Sequence, residues 1–205
     1  MRRKEFNIEQ EPDIQAFLDE MNYGFLGTLS EDGWPQVTPL NFVYYEGAIY
    51  FHGSKVGEKM RSIAADNRVS FSVAREFSRI PSYWSDPKLA CPATVFFKSV
   101  LILGRAEPLT GLDEKAAVLT AFMEKLQPEG GYAQIDPNDP SYAKHLAGTA
   151  VIKLAITDMS AKFKFGQNLK EARMEAIALQ LHERGGELDE ETARMMLRYC
   201  PHHRA

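Results

Sequence analysis

The chain has 205 residues, 44% hydrophobic and 25% charged, a usage that supports a buried core and excludes disorder as its main state. Its 24 Lys and Arg against 28 Asp and Glu give a formal net charge of −4, so no global positive field draws it to nucleic acid or to an anionic membrane. Cys91 and Cys200 are too few and too distant in sequence for a disulfide scaffold, no secretory apolar run follows the basic start, and no apolar stretch approaches a membrane span, so a cytoplasmic protein is expected.

Residues 12–22 read as a helix, because Pro12 suits a first turn and Ile14, Phe17, Leu18 and Met21 recur at helical spacing. From Tyr23 the period changes to two. Turn signals at Asp32-Gly33 and Glu46-Gly47 divide a three-strand meander at about 23–30, 35–45 and 48–53. Pro35 and Pro39 remove ladder donors from the second strand, which places it at an edge or bulges it around Thr38-Pro39-Leu40. A short helix follows over 55–65, with Val56, Met60, Ile63 and Ala64 as its apolar face.

Strand 68–76 alternates Val69, Phe71 and Val73 with small residues. Residues 77–93 carry Pro81, Pro87 and Pro92 and read as a long loop, of a kind more often functional than accidental. Strand 94–108 centres on Val100-Leu101-Ile102-Leu103, apolar on both faces, as a strand covered on both sides would be. Helix 111–127 presents Leu112, Ala116, Leu119, Phe122, Met123 and Leu126; an irregular connection over 128–141 and a strand over 148–159 follow. Asn168 and Glu171 form a capping-box pattern for a helix over 169–184, Gly185-Gly186 stops it, and Asp189 caps a last helix. Antiparallel strands with interposed helices indicate an α+β protein built on a small barrel, with a helical C-terminal extension.

The segment Tyr50-Phe51-His52-Gly53-Ser54-Lys55-Val56-Gly57-Glu58-Lys59 is a strand end, a glycine turn and a helix start, which aims backbone amides at one point. Ser54 is the natural N-cap, and Lys55 and Lys59 share a helix face. Cations in a first turn oppose the helix dipole by ~0.3–1 kcal/mol each, a cost that an anion such as phosphate turns into attraction. A solvated face balanced by Glu58 uses the same residues, and spacing alone leaves both readings open.

His52, on the side of Tyr50 and Ala48, is a candidate to contact a bound ring or small acid, or else an imidazole bonded to backbone. Thr38-Pro39-Leu40-Asn41-Phe42 offers backbone groups to the edge of a flat heterocycle, or is a protected edge and no more. In Lys162-Phe163-Lys164-Phe165-Gly166-Gln167-Asn168, alternation packs phenylalanines on one side and presents lysines on the other, which leaves Lys162, Lys164 and Gln167 as binding candidates. Cys200-Pro201-His202-His203 has metal-ligand residue types without a second cluster, so no metal site is expected.

Together, Gly24-Phe25-Leu26-Gly27-Thr28-Leu29, Asp32 through Phe42, Tyr50-Phe51-His52-Gly53, Gly57-Glu58-Lys59 and Lys98 through Ala106 resemble the flavin-binding split-barrel family. This is the pyridoxamine 5′-phosphate oxidase-like group, in its nitroimidazole-resistance (Nim-type) branch. The resemblance implies a small antiparallel split β-barrel with interposed helices over residues 1–160. Residues 161–205 then supply a basic and aromatic segment and C-terminal helices packed on it.

It further implies a homodimer with FMN, or less often FAD, at the subunit interface. Gly53, Ser54, Lys55 and Lys59 would hold the phosphate, Thr38, Leu40, Asn41 and Phe42 would border the isoalloxazine, and Ser99 would sit near the ring. His52 matches the Nim-type histidine beside the flavin and is the candidate catalytic residue, while Lys164 and Gln167 belong to a tail shared with other flavin-binding split barrels. The second strand has no arginine where the oxidase proper carries an Arg-rich pattern, which argues against vitamin B6 oxidation.

The function expected is an FMN-dependent oxidoreductase passing electrons from a reduced donor to a small acceptor such as a nitro compound. A flavin-binding sensor or regulator without turnover, and a haem-binding split barrel with His52 or His145 as axial ligand, are the alternatives.

Overall fold

The computed structural model describes residues 3–201, and among them the chain forms eight strands and six α-helices. In chain order these are β1 (Asn7–Ile8), α1 (Glu11–Glu20), β2 (Tyr23–Leu29), β3 (Pro35–Asn41), β4 (Val43–Tyr45), β5 (Ala48–Gly53) and α2 (Glu58–Ala65). Then follow β6 (Arg68–Ile80), β7 (Thr94–Pro108), α3 (Leu112–Leu126), α4 (Pro140–Gly148), β8 (Ala150–Lys164), α5 (Glu171–Arg184) and α6 (Asp189–Arg198). The strands join in the order β3-β2-β6-β7-β8-β5-β4, with β1 on β8, an open sheet consistent with a split barrel. Two compact units result. The larger comprises Gln10–Val73 and Leu101–Met159; the smaller comprises the segment ending at Glu9, Ala74–Val100 and the segment from Ser160 onward.

In the larger unit the second expected strand is two strands. β3 pairs with β2 in unbroken register from Tyr23↔Asn41 to Leu29↔Pro35, and β4 pairs with β5 through Val43↔Tyr50. β3 has β2 as its neighbour at the end of the strand order, which accommodates both prolines, and its continuous register contains no bulge. Between β3 and β4 the chain redirects at Phe42, whose buried ring meets Phe71 edge-on at 5.1 Å. Gly24 makes room for this pair, since a Cβ there would lie 2.1 Å from the Phe71 ring.

The Lys125 ammonium fixes the same corner. It donates to the carbonyls of Leu18 (3.1 Å), Met21 (2.7 Å) and Phe42 (3.3 Å), and stands 4.5 Å from the Phe42 ring centroid. A cation thus satisfies carbonyls left over at the end of α1.

Four expectations change in this unit. The helix read as 55–65 begins only at Glu58, and Val56 is 80% exposed rather than part of an apolar face. Ala64 is also exposed, and the face α2 buries is Ser62 and Ile63. β7 is covered on one side, since Val100 and Ile102 are buried while Leu101 and Leu103 are 46% and 45% exposed. Within 128–148, α4 was not expected, although Asp139 accepts from the Ser141 amide as an N-cap and Pro140 follows it.

The smaller unit gathers the second half of β6, the first half of β7, the end of β8, β1, α5 and α6. Phe165 is its aromatic centre, with Phe77 at 5.1 Å, Phe96 at 6.2 Å and Tyr199 stacked at 5.8 Å. Because Phe77, Ser78 and Ile80 are buried, β6 continues to Ile80 and the expected loop over 77–93 starts only at Pro81. β8 likewise runs on to Lys164, so Lys162-Phe163-Lys164 is strand.

α5 starts at Glu171 with Lys170 as N-cap, so Asn168 does not form the expected capping box. Asp189 is the first residue of α6 rather than its cap, and its buried carboxylate accepts from Ser78 Oγ and twice from Arg184. Those bonds, the Arg184 guanidinium first, hold Asp189 down to about 2. His202 and His203 lie outside the described residues. Of the two cysteines Cys91 is exposed and Cys200 buried, both as free thiols.

Lys125→Ala is expected to lower unfolding stability by about 1–3 kcal/mol, because three carbonyls lose a charged donor. Urea denaturation of the two proteins measures it, and an unchanged midpoint would show that water replaces the ammonium without cost.

Candidate functional site

The site grows out of the pairing of β5 with β8. Their register runs from Ile49↔Leu154 to Gly53↔Ala150, and Ile49, Tyr50, Phe51, Val151, Ile152 and Leu154 are all buried. One slipped residue would turn every side chain of β5 to the opposite face, so burial fixes which residues emerge at its end. What emerges is His52 and then the turn. The His52 ring meets Phe122 edge-on at 4.8 Å, beside the core of Val43, Ala48, Tyr50, Val118, Phe122 and Val151. Partial burial, and behind it the Lys59 charge, push His52 below its ordinary value, which keeps the imidazole neutral with one donor and one acceptor nitrogen.

The turn differs from the sequence expectation. Ser54 does not cap the helix; its Oγ accepts from the Val56 amide at 3.2 Å, and Gly57 is the N-cap residue. Gly57 has φ of +124°, a conformation that favours glycine, and lets the chain swing from the exposed turn into α2. Lys55 therefore stands in the turn while Lys59 sits in the first helical turn, and the two do not share a helix face. Lys59 nevertheless folds back, with Nζ 5.2 Å from the Phe51 ring centroid and 3.6 Å from where a Cβ on Gly53 would lie.

A third lysine joins them from α3. Lys115 is buried and donates to the carbonyls of Leu146 (3.2 Å) and Thr149 (3.0 Å) at the end of α4. With Lys55, Met60, Leu112 and Ala150 it lines a cleft of about 450 Å³ that no acidic side chain borders among the described residues. Burial lowers both Lys59 and Lys115, and the Lys55 charge lowers Lys115 further. Lys55 and Lys115, the first raising the cost of charge on the second and both facing a cleft that no carboxylate borders among the described residues, are an arrangement that an anion relieves. The sequence reading missed Lys115; its signal was a lysine beside Ala116 on the buried stripe of an amphipathic helix.

β3 supplies the neighbouring polar wall. Thr38 and Leu40 point inward with Leu26 and Gly24 of β2 as register partners, and Leu40 is nearly buried. The Asn41 side chain donates to the Asn22 carbonyl at 3.0 Å, leaving its own oxygen unused by that bond. Phe42 offers only backbone, its ring being core. One register pair along, Thr28 faces Gln36, and the Thr28 hydroxyl is buried without a partner, an unmet polar atom next to this wall. These residues fit a nucleotide with a charged end and a flat polar edge: lysines at one end, amide and hydroxyl groups beside them.

Ser99, Lys164 and Gln167 belong to the smaller unit. Gln167 is buried, and its amide accepts from the Phe165 N–H (2.7 Å) and donates to the Phe163 carbonyl (2.6 Å), which holds the turn after β8. The Lys164 ammonium donates to Thr94 Oγ1. Ser99 is half-buried on β7. His145 lies exposed on α4, where its carbonyl accepts from Thr149.

Residues 10–163 match the family model described as pyridoxamine 5′-phosphate oxidase. A search of curated proteins finds no match. Among solved structures the chain is similar to the flavocytochrome Anf3 from Azotobacter vinelandii, at 26% identity and a TM-score of 0.63, covering 78% of this chain and 69% of that one. It is similar in fold to a candidate 5-nitroimidazole antibiotic resistance protein from Bacteroides thetaiotaomicron, at 20% identity and a TM-score of 0.61, covering 76% of this chain and 85% of the other. An FAD- and heme-binding protein from Mycobacterium smegmatis shares the fold at 19% identity and a TM-score of 0.63, covering 78% and 73% of the two chains.

The lowered His52 value gives a signed pH dependence. The unfolded chain protonates this group near 6.5 and the folded protein only at lower pH. The stability it contributes is whole above 6.5 and is lost as pH falls through the lowered folded value. His52→Gln is expected to flatten the acid-side slope of urea-derived stability. Lys59→Gln is expected to raise the His52 midpoint in an NMR titration only part of the way to 6.5, because burial is the larger cause.

Proposed function

We propose that this chain, which belongs to the pyridoxamine 5′-phosphate oxidase family, binds a flavin nucleotide, FMN in preference to FAD. We read it as an oxidoreductase that passes electrons from a reduced nicotinamide or similar donor to a small acceptor such as a nitro compound. The observation that carries the reading is the pair Lys55 and Lys115 on a cleft that no carboxylate borders among the described residues, with the Lys59 ammonium folded back beside Gly53 at the turn after β5. When bound, the flavin supplies the redox chemistry. The protein's part is to bind, orient and exclude water. Lys55 and Lys59, with the Gly53 and Ser54 backbone, neutralise the phosphate, and Lys115 adds positive potential from behind. Thr38, Leu40, Asn41 and the Phe42 backbone border the ring, and neutral His52 offers a hydrogen bond without placing a charge beside it. Ser99, Lys164 and Gln167 belong to the smaller unit and are not among the groups proposed here to hold the flavin.

The same reading makes the protein a homodimer. On the outward face of β2, Tyr23, Phe25 and Leu29 are exposed, Val37 of β3 is the register partner of Gly27 on that face, and Leu101 and Leu103 of β7 are exposed as well. A sheet face of this composition on an isolated chain is an unmet interface, and a second copy would cover it and enclose the flavin.

A haem-binding reading has support in the flavocytochrome similarity at 26% identity, with His52 or His145 as the ligand. A third reading is a flavin-binding sensor without turnover.

Purified protein is expected to be yellow, to release FMN on heating, and to bleach with NADH or NADPH; a Soret band in its place would favour haem. Lys55→Ala with Lys59→Ala is expected to weaken FMN binding by about 10–100-fold through lost charged hydrogen bonds, with the thermal midpoint little changed. Unchanged affinity by fluorescence titration would move the phosphate elsewhere. Tight flavin with no rate across a panel of donors and acceptors would favour the sensor. Phe25→Glu with Leu103→Glu is expected to halve the mass seen by light scattering.

A further inference from the structure

The smaller unit contains a second cationic pocket. It measures about 260 Å³, and three cations from separate stretches of chain border it: Arg3 near the N-terminus, Lys164 at the end of β8 and Arg173 in the first turn of α5. No Asp or Glu lines it among the described residues. Two of the cations are held by neutral hydroxyls, Lys164 donating to Thr94 Oγ1 and Arg173 to Ser85 Oγ. An ammonium has three donors and a guanidinium five, so each keeps capacity for an anionic guest. Burial lowers Lys164, and the neighbouring Lys162 and Arg3 charges lower it further. The rest of the wall is mostly apolar, with Pro92, Ala93 and Leu169 open to the pocket over the buried Ile80, Phe96 and Ile177, and with Asn168 as a further polar group.

A cationic rim over an apolar floor suits an acid with a hydrocarbon body better than it suits a bare inorganic ion, which would leave the floor against water. Cys91, whose thiol is exposed, stands at the same pocket and reports on its occupancy. We infer that this pocket is a binding site for a small organic carboxylate, whose carboxylate pairs with Lys164 and Arg173 and whose body covers Pro92, Ala93 and Leu169. The pocket shares no lining residue with the cleft of Lys55 and Lys115, and the inference stands without the flavin reading.

Cys91 alkylation of the full-length protein tests it. Iodoacetate is a small carboxylate and iodoacetamide its neutral counterpart. In each the thiolate sulfur displaces iodide, forming an S–C bond as the C–I bond breaks. Peptide mass mapping separates Cys91 from buried Cys200. The ratio of iodoacetate to iodoacetamide rates at Cys91 is expected to fall about tenfold in Lys164→Gln with Arg173→Gln. Benzoate is expected to protect the wild-type thiol saturably, and to do so equally in Lys55→Ala with Lys59→Ala. If the double variant fails to fold by its thermal midpoint, Arg173→Gln alone is expected to lower the ratio about threefold.

An unchanged ratio overturns the proposal, as does protection by chloride equal to that by benzoate at matched ionic strength. Equal protection by inorganic phosphate overturns the organic-acid assignment. Protection by stoichiometric FMN assigns the pocket to the flavin and overturns its independence. Loss of FMN affinity in the Lys55 and Lys59 variant bears only on the flavin reading.

Discussion

The register between β5 and β8 is the constraint on which the larger unit depends. Across five consecutive pairs, from Ile49↔Leu154 to Gly53↔Ala150, Ile49, Tyr50, Phe51, Val151, Ile152 and Leu154 are buried while His52 reaches the surface, so a slip by one residue would turn His52 to the side Phe51 occupies and bury it. That fixed end decides where the chain leaves the sheet, which side His52 takes, and where the turn carrying Ser54 and Lys55 is held. Lys125 secures the adjoining corner by tying the end of α1 to the carbonyl of Phe42.

Electrostatics gives the molecule its chemical character in a way the net charge of −4 conceals. Much of the acid sits at helix starts, as in Asp113 and Glu114 of α3 or Asp189, Glu190 and Glu191 of α6, where the helix dipole favours it. Cations instead line two clefts that no carboxylate borders among the described residues: Lys55 and Lys115 in the larger unit, and in the smaller Arg3, Lys164 and Arg173, of which Arg3 also stands 3.9 Å from Glu5. Lys115 is the most informative, because a buried ammonium held by two neutral carbonyls, those of Leu146 and Thr149, is costly unless its charge is used. Arg184 shows the contrast, bonded to Asp189 over β6, where charge serves to fasten α5 and α6.

Much of this was legible in the chain. Strand-forming runs and turn signals located β2, β5 and β7, period-3.6 runs located α1 and α3, cap and glycine signals pointed to α5 and α6, and the prolines of β3 indicated an edge or a bulge. The order of Gly24 to Leu29, Trp34 to Phe42 and Tyr50 to Gly53 carried the family, whose model covers residues 10–163. These features were legible because they are local: alternation, turn residues and proline chemistry act within a few residues.

What only the tertiary structure decided is where local signals compete with distant partners. Whether Leu101 and Leu103 are covered depends on what lies opposite them, and alternation within β7 carries no record of it. The start of α2 shifted from Lys55 to Glu58 because Ser54 found the Val56 amide and Gly57 took a positive φ, choices among several that the sequence permits. Lys115 read as one more lysine until the end of α4, more than thirty residues onward in the chain, supplied the carbonyls that hold it. The amino-acid order by itself located most of the strands and helices and carried the family, since those follow from patterns each segment carries alone. The grouping of charges into pockets came from the fold, because a pocket is defined by residues that meet only after the chain has packed.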